Sequence, residues 1–129
     1  MKIPNLVDLE QSGLHAWQGD SGPLSAAAEA AQLRYRAADL TGVNSKADLM
    51  KALASGLGLP AHFGNNWDAL ADSLEDDEWL GRRGAVVVLE HAGGYRKAHA
   101  RDWSTLEDIL AEAADYWRDL KRPLWVFVH

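Results

Sequence analysis

Two carboxylates four residues apart, Asp68 and Asp72, are the pair in this chain with the most suggestive chemistry. They fall within Asn66-Trp67-Asp68-Ala69-Leu70-Ala71-Asp72-Ser73-Leu74, and at i and i+4 they share one face of a helix. Like charges at that spacing are unfavourable by about 0.2–0.5 kcal/mol, and no Lys or Arg stands within a turn to relieve them. Three uses compete for such a pair: a solvated acidic face, a surface built to meet cations, or, with His62 just upstream, acid–base work in a small enzyme. Catalysis is the weaker reading, because the pair falls at the exposed start of a helix and no basic electrophile lies nearby in sequence.

Other reactive residues are harder to assemble. His15, His62, His91, His99 and His129 show no pair at metal-ligand spacing with an acid in support, so no metal site is expected. His91-Ala92-Gly93-Gly94 lacks both the GxGxxG pattern and a P-loop lysine, and reads as a strand-to-helix turn. Ser104 lies in no GxSxG context and has a structural use as a helix cap. No cofactor is implied.

The elements that must hold Asp68 and Asp72 follow from local chemistry. Pro60 keeps Leu59 out of helix, and Gly64 permits a tight turn. Asn66 is suited to cap a new helix beginning at Trp67, with Trp67, Leu70, Ala71 and Leu74 as its apolar stripe. Glu75, Asp76, Asp77 and Glu78 follow, which burdens the helix end with charge its dipole disfavours. Trp79 and Leu80 are expected to fold back and bury.

Upstream, residues 1 to 13 read as an arm, Leu14 to Trp17 as a short strand, and Gln18 to Pro23 as a turn. A helix is expected over Leu24 to Leu33 with Ser25 as cap, then a strand over Arg34 to Leu40. Ser45 caps a helix carrying Leu49, Leu53 and Leu57. Downstream, Gly81 to Gly84 is a turn and Ala85 to Glu90 is an uninterrupted apolar run, typical of a central parallel strand covered on both faces. Residues 92 to 100 form a short helix or loop. Ser104 with Glu107 makes a capping box for a helix to Leu120, on which Leu106, Ile109, Leu110, Ala113 and Trp117 form a stripe. Pro123 opens a last buried strand, Leu124 to Val128. Strands alternating with helices predict an α/β fold, a small parallel sheet covered by helices. Most of the six tryptophans are core candidates.

A chain of 129 residues fits one domain, and its 47% hydrophobic and 25% charged residues suit a globular protein. A formal charge of −6 argues against direct binding of nucleic acid and favours a basic partner. With no cysteine, no signal-like N-terminus and no apolar run long enough to span a membrane, the expectation is a cytoplasmic monomer.

The string from Leu59 to Leu74, Leu-Pro-x-x-(Tyr/Phe)-Gly-x-Asn-x-Asp-Ala-Leu-x-Asp-x-Leu, resembles the barstar family, intracellular protein inhibitors of secreted ribonucleases of the barnase type. The resemblance covers about residues 34 to 129. It implies a three-stranded parallel sheet packed with helices, to which residues 1 to 33 add a possible fourth strand and a helix. It further implies that the loop and helix plug a basic nuclease cleft, with Asp68 and Asp72 pairing the residues that hold RNA phosphate. Contacts from His62, Phe63, Gly64, Asn66, Trp67 and Ala71 accompany them, and Glu112 on the last helix matches a further acidic contact. The chain departs from the best-known member at three of these positions. His62 replaces a tyrosine, Ala71 a tryptophan, and Trp67 an aliphatic residue, which relocates aromatic area. With a reference pKa of about 6.5, a contacting His62 would make binding pH-dependent. A third reading keeps this fold but makes residues 1 to 33 an interaction module for another basic protein.

Overall fold

The computed structural model describes residues 2–60 and 63–129. The two most continuous apolar runs, Ala-Val-Val-Val-Leu and Leu-Trp-Val-Phe-Val, form the middle of a parallel sheet because they alone can be covered on both faces. These are β3 (Ala85–Glu90) and β4 (Leu124–Val128). They are flanked by β1 (Gly13–Ala16) and β2 (Arg34–Asp39), giving the order β1-β4-β3-β2 with every pairing parallel. The fourth strand comes from the N-terminal segment, beside β4, as the sequence allowed. The edge strands carry more polar residues and are less buried, as edges must be.

Six helices are described: α1 (Gly22–Ala30), α2 (Lys46–Leu57), α3 (Trp67–Leu74), α4 (Asp77–Leu80), α5 (Gly93–Ala98) and α6 (Ala100–Asp119). Alternate residues of the central strands serve two separate cores. Val87, Leu89, Val126 and Val128 face the larger core with residues of α2, α3, α4, α5 and α6. Val86, Val88, Trp125 and Phe127 face the smaller one, roofed by Leu6, Trp17, Leu24, Ala28 and Leu33. Trp17, Trp79, Trp103, Trp117 and Trp125 are all buried, whereas Trp67 is half-buried.

Indole N–H groups close helix ends whose carbonyls have no partner within the helix. Trp117 Nε1 donates to the Leu74 carbonyl at the end of α3, and Trp79 Nε1 to the Leu57 carbonyl at the end of α2, both at 2.7 Å. Thus α3 is tied at its C-terminus to α6.

Several boundaries differ from the sequence reading. α1 begins at Gly22 with Pro23 in its first turn, so Ser25 lies inside the helix. Pro at the first turn loses no hydrogen bond and arrives with the right φ, which outweighs the serine signal. The hydroxyl of Ser21 bonds Glu90 Oε1 at 2.8 Å instead of capping. α6 begins at Ala100, one turn before Ser104, so the Ser104/Glu107 capping box is not used. Burial of Trp103 extends the helix past that signal. The acidic run is divided: α3 stops with Glu75 as its cap, and Asp76 caps α4 by accepting from Trp79 N–H at 2.9 Å. Asp77 and Glu78 then sit in the first turn of α4, where the helix dipole favours them.

Candidate partner-binding site

Asn66 takes the cap as its sequence position predicts. Its backbone is extended, its Oδ1 accepts from Ala69 N–H at 2.8 Å, and its Nδ2 donates to the Gly64 carbonyl at 3.2 Å. The tight turn before it uses Asn65, at φ 55°, rather than Gly64. Asn tolerates this left-handed conformation better than other non-glycine residues. Gly64 serves by being small, since a Cβ there would lie 3.2 Å from Asn66 Nδ2.

Asp68 and Asp72 are both exposed on α3. Asp68 lies in the first turn, where the positive helix end steadies it. Among the described residues neither carboxylate has a hydrogen-bond or ion-pair partner; the pairs there are His91–Asp39, Arg118–Asp115 and Arg122–Asp77. Leu70 and Leu74 on the opposite stripe are fully buried, so packing holds the acidic face outward.

Phe63, Gly64 and Asp72 meet around a concavity of about 260 Å³ that Pro60, Ala69, Ser73 and Asp76 complete. Asp68, Trp67, Ala71 and Glu112 do not line it. Phe63 and Trp67 pack partly on the larger core, which anchors the loop and the helix start. Lys46 Nζ lies 5.3 Å from the Trp67 ring centroid, a cation–π contact between α2 and α3. Ala71 is half-buried. Glu112 is exposed on α6, the helix that packs against α3. His62 lies outside the described residues. Sequence reasoning missed Pro60, Ala69, Ser73 and Asp76 as members of the concavity.

The structure is thus a small parallel α/β scaffold holding toward solvent a capped helix whose two carboxylates are unpaired among the described residues. The sequence pattern of the family described as Barstar (barnase inhibitor) matches residues 33–129, and the chain belongs to that family. The match starts at the threshold of β2, so β1, α1 and the arm before them lie outside it. No curated protein matches the chain by sequence.

Proposed function

We propose that this protein inhibits a barnase-type ribonuclease by occluding its active site with α3 and the loop before it. The observation that carries this reading is the outward pair Asp68 and Asp72, unpartnered among the described residues, on a helix whose opposite face is locked in the core. Asp72, at the rim of the concavity, pairs the cations that otherwise hold RNA phosphate, and Asp68 supports it from the first turn. His62, Phe63, Gly64, Asn66, Trp67 and Ala71 supply the surrounding contact surface, and Glu112 a further acidic contact from α6. Charge-assisted bonds of this kind are strong once water is excluded. Membership in a family described as barnase inhibitors supports the partner class. The protein acts in the cytoplasm as a monomer and needs neither cofactor nor nucleic acid. Asp72 lines the concavity and Asp68 does not, which supports contact with a partner surface over a shared catalytic cleft.

The test is inhibition and binding against a panel of secreted guanyl-preferring ribonucleases, with wild type and Asp72→Ala compared. Tight inhibition by wild type and dissociation faster by roughly two orders of magnitude in the variant are expected, since losing one partner of a desolvated pair acts mostly on dissociation. Equal affinity of both proteins for the bound nuclease would refute the assignment.

A further inference from the structure

A second groove, of about 310 Å³, adjoins the candidate site and brings two arginines together with two acidic residues. It is lined by Arg34, Arg36, Gly58, Pro60, Asp76, Glu78 and Trp79, and it shares Pro60 and Asp76 with the concavity beside Asp72. Arg34 and Arg36 project from the same face of the edge strand β2. Two glycines make room for them. A methyl on Gly81 would lie 2.5 Å from Arg34 Nε, and one on Gly58 3.3 Å from Arg36 Cζ; both glycines also have positive φ.

Arg34 donates to the Glu78 backbone carbonyl at 2.8 Å, and among the described residues neither arginine forms an ion pair. The Asp76 carboxylate accepts from Trp79 N–H instead. Arg36 Nε is buried and has no hydrogen-bond partner. Burial, with Arg34 beside it, draws the Arg36 guanidinium below its usual pKa. Asp76 and Glu78 line the groove without forming an ion pair to either arginine among the described residues, so two close cations, one with an unmade donor, are open to a further anion.

We propose that Arg34 and Arg36 receive a carboxylate side chain of the partner protein, seated beside the cations that Asp72 engages. This rests on the inhibitor reading above and adds to it a rule of selectivity. A ribonuclease with an acidic residue flanking its basic cleft is accepted, and one with a basic residue there is rejected by repulsion.

Two measurements test it. First, sodium acetate is titrated into wild-type protein at constant ionic strength while the arginine Nε–H signals are followed by NMR. A saturable shift at Arg36 with none at Arg82 or Arg83 is expected; no shift, or the same shift at all three, overturns the groove as a carboxylate site. Second, Arg34→Gln/Arg36→Gln is compared with wild type and Asp72→Ala on a ribonuclease that wild type binds, each variant first shown to melt cooperatively. An affinity loss of roughly tenfold or more is expected. An unchanged affinity overturns the arginine site while leaving inhibition standing, whereas loss only in Asp72→Ala identifies the acidic helix as the sole determinant. If no ribonuclease is bound, the inhibitor reading and the partner's carboxylate fall together.

Discussion

At the scale of single residues, a few side-chain hydrogen bonds decide how the candidate site is presented. Asn66 closes the first turn of α3 from outside the helix, and replacing it with Ala leaves the Ala69 amide unpaired. Loss of such a cap costs about 1 kcal/mol. Asn66→Ala is therefore expected to lower the unfolding free energy from chemical denaturation by that amount and to weaken ribonuclease binding through fraying of the turn that carries Asp68. A second residue-scale prediction concerns pH. Asp39 is held near 2, below the usual 3.8, by the Thr41 hydroxyl first, then by the His91 ring and the Thr41 amide. A depressed carboxyl contributes stability above its unfolded pKa, and that contribution disappears as pH falls from about 4 towards 2. Thermal melts of wild type and Asp39→Asn should differ at pH 5, and the gap should shrink as pH falls through about 2; a gap as wide at pH 2 as at pH 5 would contradict this account of the pair.

At the scale of elements, the packing of helices on the sheet overrides local preference. Gly56 sits inside α2, where Ala is preferred by about 1 kcal/mol on helix propensity alone. A Cβ at that position, however, would lie 2.5 Å from Ala38 Cα and 2.7 Å from the Ala37 carbonyl oxygen on β2. Overpacking of this kind costs about 1–3 kcal/mol, so Gly56→Ala is expected to destabilise in equilibrium unfolding despite its better propensity. The same competition explains which boundaries could be read from sequence. The cap Ser45 and the stripe Leu49, Leu53 and Leu57 appear as expected, because cap and periodicity agree there. At Ser25 and Ser104 a plausible cap lost to Pro23 and to burial of Trp103, neither of which a four-residue pattern weighs.

At the scale of the whole molecule, charge and the second core set the remaining expectations. With a formal charge of −6 and an exposed acidic helix, association with a basic nuclease should slow steeply as salt rises, while dissociation changes little; stopped-flow rates across ionic strengths check this. Residues before Leu33 supply β1, α1 and the roof over Val86, Val88, Trp125 and Phe127, and Trp125 Nε1 donates to the Leu6 carbonyl at 2.9 Å. Removing residues 1 to 33 would bare that apolar face, so the shortened chain is expected to aggregate, read by light scattering, rather than to lose one binding activity cleanly. The family match begins at residue 33, where this segment ends. By itself the amino-acid sequence determined the parallel α/β class, the central strands, the capped start of α3 and the outward acidic pair, because each depends on periodicity or on hydrogen bonds between near neighbours. Only the tertiary structure decided that Asp76 to Glu78 serve a new helix, that Asp72 and Phe63 share a concavity which excludes Asp68, and that Arg34 and Arg36 converge beside it. Those outcomes depend on which distant segments compete for the same volume, and no local pattern of residues encodes that competition.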